Sequence, residues 1–226
     1  MVKHKRSFFA AILAFVMILG LTACESSGNT TETDGTKDQT VSTQSEKAAS
    51  EPQDGSKESK NSDTNRILVV YFSWSGHLDS MAHWVADETG GDLYRVTAVD
   101  PYPKDYNATA DRAKQEQDDD VRPKISVDIT PDQMSVYDTI FFGFPVWWYD
   151  LPMPMWTFLE NYDFSCKTII PFFSHEGSSN GANALPTVKK LAVGATVRSD
   201  DALSIRGGNV DSAEKDVRAW VQGLNY

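Results

Sequence analysis

The chain has 226 residues, with 21 Lys and Arg against 32 Asp and Glu, a formal net charge of −11 at pH 7 and two cysteines. No basic patch interleaved with aromatics offsets that acidity, which excludes a nucleic-acid-binding surface. With one of the two cysteines, Cys24, in a leader-like segment, Cys166 has no partner, which excludes an internal disulfide framework.

Residues 1–24 read as a signal peptide. Lys3, Lys5 and Arg6 form a basic n-region, residues 8–19 an apolar h-region too short for a span, and Leu21-Thr22-Ala23-Cys24 closes it with small residues. The segment resembles a bacterial lipoprotein signal, which implies a mature chain anchored to a membrane through acyl chains on Cys24, outside the cytoplasm. Residues 25–65 carry almost no apolar side chains; Val41, Ala48 and Ala49 are nearly all of them. Such a composition cannot offset the entropy of ordering, so the segment is expected to be a disordered tether. One domain is then expected at 66–226.

Within it, residues 67–72 are an unbroken apolar, β-branched run, as expected of a strand buried on both faces of a parallel sheet. Leu78, Met81, Ala82 and Val85 then fall at helical spacing and predict a helix over 77–89, stopped at Gly90-Gly91. A second strand is expected at 92–98, a loop at Asp100-Pro-Tyr-Pro, an acidic solvated helix at 106–118 and a short extended piece at 125–129. Residues 139–144 and 167–173 predict two further apolar strands, followed by helices over 153–161 and 182–191. Cys166, opening the second of these patterns, is expected to be a small buried residue, and His83 to be solvated. Residues 195–199 and 203–205 form a last strand region, and 213–224 a closing helix with Val217, Trp220 and Val221 facing inward. Strands alternating with helices indicate an α/β open sheet, whose ligands bind beyond the C-terminal strand ends.

Three loops meet at that edge. Ser73-Trp74-Ser75-Gly76-His77 joins strand to helix, either as an anion cradle of backbone N–H groups and hydroxyls or as an ordinary connection capped by Ser75. The second loop, Pro145-Val146-Trp147-Trp148-Tyr149-Asp150, places two tryptophans where they either cap the core or stack on a flat ligand. The third, Ser174-His175-Glu176-Gly177-Ser178, is polar and glycine-rich. An anion cradle, an aromatic platform and a peptide-rich loop are what a flavin mononucleotide (FMN) needs.

Tyr71-Phe-Ser-Trp-Ser-Gly, Phe144-Pro-Val-Trp-Trp and Phe172-Phe-Ser-His-Glu-Gly-Ser-Ser, with Pro101-Tyr-Pro and Arg122-Pro123 between them, resemble the flavodoxin-like family, in its bacterial branch with a Trp-Trp loop. The resemblance spans about residues 66–224. It implies an α/β, doubly wound flavodoxin-like fold with five parallel strands in order 2-1-3-4-5, helices on both faces, and FMN as cofactor. By the same resemblance, Ser73, Ser75, Gly76, His77 and Leu78 are phosphate-loop positions. Pro145, Val146, Trp147 and Trp148 form the first ring-binding loop, and Ser174, His175, Glu176, Gly177 and Ser178 the second. The family's phosphate loop usually ends Gly-Asn-Thr and often continues with a basic residue, whereas here Gly76 is followed by His77, Leu78 and Asp79. The threonine hydroxyl is lost and Asp79 brings negative charge, which a protonated His77 would offset.

These features imply an extracytoplasmic FMN protein that carries electrons or reduces a small, quinone-like acceptor, with donor and acceptor unspecified by the sequence. Glu176 and Asp150 would disfavour added negative charge on the ring. Two other readings compete. One is a metal-binding lipoprotein using His77 and His175 with Glu176 and Asp79, although no close-spaced ligand pair exists. The other is a flavodoxin fold without cofactor, serving as an interaction or solute-binding module.

Overall fold

In the computed structural model, which describes residues 66–177, 181 and 183–226, the apolar runs become the centre of one sheet. Its strands are β1 (Ile67–Phe72), β2 (Asp92–Ala98), β3 (Ile125–Ser126), β4 (Thr139–Pro145), β5 (Thr168–His175), β6 (Thr196–Val197) and β7 (Leu203–Arg206). The helices are α1 (His77–Thr89), α2 (Tyr106–Asp118), α3 (Pro131–Ser135), α4 (Met153–Asn161), α5 (Ala184–Leu191) and α6 (Glu214–Gly223). The signal-peptide segment 1–24 with Cys24, the expected tether 25–65 and Ser178 lie outside the described residues.

Strand order is β3-β2-β1-β4-β5-β6, with β7 also paired to β5, and every pairing is parallel except β2 with β3. The sheet therefore has seven strands rather than the expected five in order 2-1-3-4-5. Two local causes account for the difference. The extended piece near residue 125 adds β3 as an antiparallel edge against Thr97 and Ala98. The last strand region is broken by a 3-10 turn at Ser199–Asp201, which Arg198 fastens by bonding Asp201 at 2.7 Å and the Asn225 carbonyl at 2.6 Å. The chain consequently meets β5 twice, β6 at its start and β7 at its end.

Because the central strands are buried on both faces, alternate residues feed two apolar layers. Leu68, Val70 and Phe72 face a layer completed by Met155, Phe158 and Leu159 of α4 and Val188 of α5. Val69 and Tyr71 face the opposite layer, with Leu78, Met81 and Val85 of α1 and Val217 and Val221 of α6. Each fully buried side chain of this size contributes about 1.5–3 kcal/mol. Helices thus cover both faces, and the loops after β1, β4 and β5 emerge together at one edge. Gly143 in β4 is a packing requirement, since a methyl group there would come within 2.6 Å of Phe172 and 2.9 Å of Tyr71.

Cys166 is exposed, contrary to the sequence expectation. It occupies a turn at φ 62°, with its N–H bonded to the Gly194 carbonyl at 3.1 Å. The apolar strand starts beyond it, and the neighbouring Lys167 is the buried one: its Nζ donates to the carbonyls of Ser135 and Tyr137 at 3.2 and 2.6 Å, closing the end of α3. Among the described residues no helix is long and apolar enough to cross a membrane.

Candidate functional site

The loop after β1 is built around Ser73 and Gly76. Ser73 is buried, and its Oγ accepts the Gly76 N–H at 3.2 Å. Gly76 stands at φ 99°, a conformation that side chains resist, and it caps α1; Ser75 is exposed and is not the cap. The first helical bond runs from Ser80 N–H to the Gly76 carbonyl, so the N–H groups of His77, Leu78 and Asp79 face out of the helix start. A helix of 13 residues adds partial positive charge at that point. Space over the turn is open, because a methyl group on Gly76 would meet nothing within 4 Å. The Leu78 side chain lies in the core, so this position can offer a ligand only its backbone.

Asp79 does not stand alone beside this turn. Arg95 of β2 pairs with its carboxylate at 3.1 Å and donates a second bond to the Ser73 carbonyl at 2.9 Å, and the Tyr71 hydroxyl donates to the same carboxylate at 2.8 Å. The cation that offsets Asp79 is Arg95 rather than His77. The imidazole of His77 instead rests against Gly207, where a methyl group would fall 2.9 Å from its Cε1 and onto Glu176 Oε1.

In the second loop, Trp147 and Asp150 exchange two backbone bonds of 2.9 Å, forming a two-residue turn with Trp148 at φ 47° and Tyr149 at φ 67°. Such turns favour Asn-Gly, and bulky side chains in the left-handed region cost about 1–2 kcal/mol each. Neighbouring helices hold the strained pair. Trp148 Nε1 donates to the Ala110 carbonyl at 2.9 Å, Lys114 lies 5.9 Å from its ring, and Asn183 N–H bonds the Tyr149 carbonyl at 3.2 Å. Asp150 accepts from Leu151 N–H and Thr187 Oγ, and burial raises its pKa above the ordinary carboxylate value. The tryptophans divide: Trp147 wedges edge-on against Phe72 and Tyr102, whereas Trp148 and Tyr149 are 43% and 51% exposed. Pro145 ends β4, and Val146 N–H bonds the Ser174 carbonyl at 2.8 Å, tying the second loop to the third.

In the third loop Ser174 is buried, His175 Nδ1 accepts the Gly177 N–H at 2.8 Å, and Gly177 stands at φ 104°. Glu176 turns towards His77 and Gly207. Among the described residues no group of three or more His, Cys, Asp and Glu side chains is placed to hold a metal ion.

Sequence reasoning missed Arg95, Gly207 and the Tyr102–Glu116 bond that backs Trp147. A signal for Arg95 was present in strand alternation. Tyr71 and Arg95 are register partners on β1 and β2, both turned to the α1 face beneath Asp79. Gly207 carried no such signal, because its neighbours, Glu176 and His77, are more than thirty and more than one hundred residues away in sequence.

The donor set fits a phosphate at α1: three outward N–H groups, an exposed serine and an acid already paired with arginine. The exposed Trp148–Tyr149 turn beside the polar third loop fits a flat ring with a hydrogen-bonding edge. Comparisons agree in kind. A family model described as flavodoxin matches residues 66–224. A candidate flavoprotein from Bacteroides uniformis is 29% identical over 70% of this chain and 98% of its own, with a TM-score of 0.59. One from Bacteroides eggerthii is also 29% identical, over 70% and 97%, at 0.57. A flavoprotein from Lactobacillus acidophilus, solved in complex with FMN, is 25% identical over 66% and 98%, at 0.52.

Proposed function

The chain belongs to the flavodoxin family, and on that premise we propose that it binds FMN and carries electrons, or reduces a small quinone-like acceptor, while anchored outside the cytoplasm through a lipid on Cys24. The observation that carries the cofactor reading is the convergence of the open α1 start and the strained Trp148–Tyr149 turn at one sheet edge. When bound, the isoalloxazine ring supplies the electron-accepting and electron-donating chemistry. The N–H groups of His77, Leu78 and Asp79, with the Ser75 hydroxyl, are assigned to the phosphate. Trp148, with Val146, is assigned to one side of the ring, with Trp147 bracing the loop from beneath, and residues 174–177 to its polar edge. Glu176 adds negative charge nearby and so opposes further negative charge on the ring. An acceptor would reach the ring beside Tyr149 and His175, and its quinone-like nature rests on analogy of fold.

Titration of the purified protein with FMN, followed by flavin fluorescence, tests the cofactor. Saturable quenching is expected; folded protein that leaves flavin fluorescence unchanged overturns the reading. The anchor is tested separately by incorporation of labelled fatty acid, which is expected in the natural chain and absent after Cys24→Ala.

A further inference from the structure

The arrangement around Asp79 has a chemical consequence that the site's backbone does not explain. An acid in the first turn of a helix is ordinarily favourable, because it satisfies the same dipole that attracts a phosphate. Here it would compete with that phosphate for one positive region. Arg95 reaches this point from the neighbouring strand, and its position is determined by three fixed features. Tyr71 and Arg95 are register partners on adjacent strands, the Arg95 guanidinium bonds the Ser73 carbonyl at 2.9 Å, and it pairs with Asp79 at 3.1 Å. The Tyr71 hydroxyl shares the carboxylate at 2.8 Å, so Asp79 is held from two sides. A guanidinium has five N–H donors in a rigid fork. Two of its nitrogens are engaged here, and the side chain remains 43% exposed, so further donors remain open to solvent beside the turn.

Resting on the FMN reading above, we propose that Arg95 makes this turn selective for a phosphorylated flavin, with Asp79 as the residue that positions its guanidinium. The backbone N–H groups bind any anion. Arg95 cancels the carboxylate that would otherwise repel a dianion, leaving the positive end of the helix unopposed, and its remaining N–H donors lie on the β2 side. Its contribution depends on the ligand's charge: it favours FMN and is indifferent to riboflavin, which has the same ring and ribityl chain but no phosphate.

Four forms of the full chain test this: wild type, Arg95→Gln, Arg95→Lys and the double variant Asp79→Asn with Arg95→Gln. Each is titrated with FMN and riboflavin in parallel at low and high salt. Arg95→Gln is expected to weaken FMN roughly tenfold while leaving riboflavin unchanged, a loss that shrinks in high salt. Arg95→Lys is expected to keep more FMN affinity than Arg95→Gln, and the double variant to recover much of the loss because the unpaired carboxylate is gone. Unchanged riboflavin binding also serves as the folding control. Equal loss of both flavins in Arg95→Gln assigns the arginine a structural role and overturns the proposal. No loss of either flavin, or equal affinity of wild type for FMN and riboflavin, overturns it too. Wild type that binds neither flavin overturns the FMN reading beneath it, an outcome separate from the others.

Discussion

Tyr102 and Trp147 meet edge to face, with ring centroids 5.0 Å apart and planes at 83°. Tyr102 is itself held: its hydroxyl donates to buried Glu116, and the Arg112 guanidinium lies 4.2 Å from its ring centroid while pairing with the same carboxylate at 2.8 Å. The inward tryptophan of the second loop therefore stands on a braced phenol. Tyr102→Phe keeps the ring and removes one donor from Glu116. It is expected to cost about 1–2 kcal/mol in denaturant unfolding and to loosen Trp147, seen as a red shift of tryptophan emission.

Tyr149 is half exposed at φ 67°, so its backbone, not its side chain, carries the strain. Tyr149→Gly is expected to leave stability unchanged or raise it by up to about 1 kcal/mol, while weakening flavin binding. A gain in stability together with a loss of affinity would mark the aromatic as kept for the ligand. A clear loss of stability would show that the side chain supports the turn.

Two glycines with ordinary φ angles should respond differently to alanine. At Gly143 the obstruction is the Phe172 ring and Tyr71 Cβ in the packed sheet interior, so Gly143→Ala is expected to cost about 1–3 kcal/mol. At Gly207 the closest obstruction is the end of the exposed, flexible Glu176 side chain, with the His77 ring next to it at 2.9 Å. Gly207→Ala is expected to change stability by less than about 0.5 kcal/mol yet to alter flavin affinity by displacing His77. Thermal melts paired with FMN titrations read both effects.

Three phenols are expected to limit the fold at alkaline pH. Burial, reinforced by hydrogen bonds to Asp79, Glu116 and Asp92, raises Tyr71, Tyr102 and Tyr137 well above the ordinary phenol value. Since their folded pKa values exceed the unfolded one, their stabilisation is complete below about pH 10 and is lost as pH rises further. Unfolding free energy is expected to fall above that point. These phenols should ionise together with the loss of circular dichroism; phenolate absorbance that reaches its full amplitude before structure is lost would count against it.

Much of this fold is legible in the sequence, for a physical reason. Doubly buried strands must be apolar throughout and amphipathic helices must repeat at 3.6 residues, so β1, α1 and α4 could be bounded closely from pattern, while Gly90-Gly91 and Asp100-Pro-Tyr-Pro bracket the half-exposed β2. The misreadings fall where backbone conformation decides. Cys166 looks like a strand start until the positive φ before β5 is known, and the split between β6 and β7 depends on a 3-10 turn fastened by Arg198. Within the site, the three loops follow from strand order. The pairing of Asp79 with Arg95 is a tertiary fact, visible only once β2 is known to lie beside β1 in register.

The direction of β1 has a practical consequence. Arg66 enters at one pole of the sheet, hydrogen-bonded to Asp138, and the chain travels the six residues of β1, about 20 Å, before Ser73 opens the cradle at the other pole. Cys166 lies at the entry pole as well, just ahead of β5. A surface joined directly at Arg66, or a dye coupled to Cys166, would therefore be attached at the pole opposite the loop-bearing rim. The attachment points lie at one pole of the sheet and the candidate site at the other.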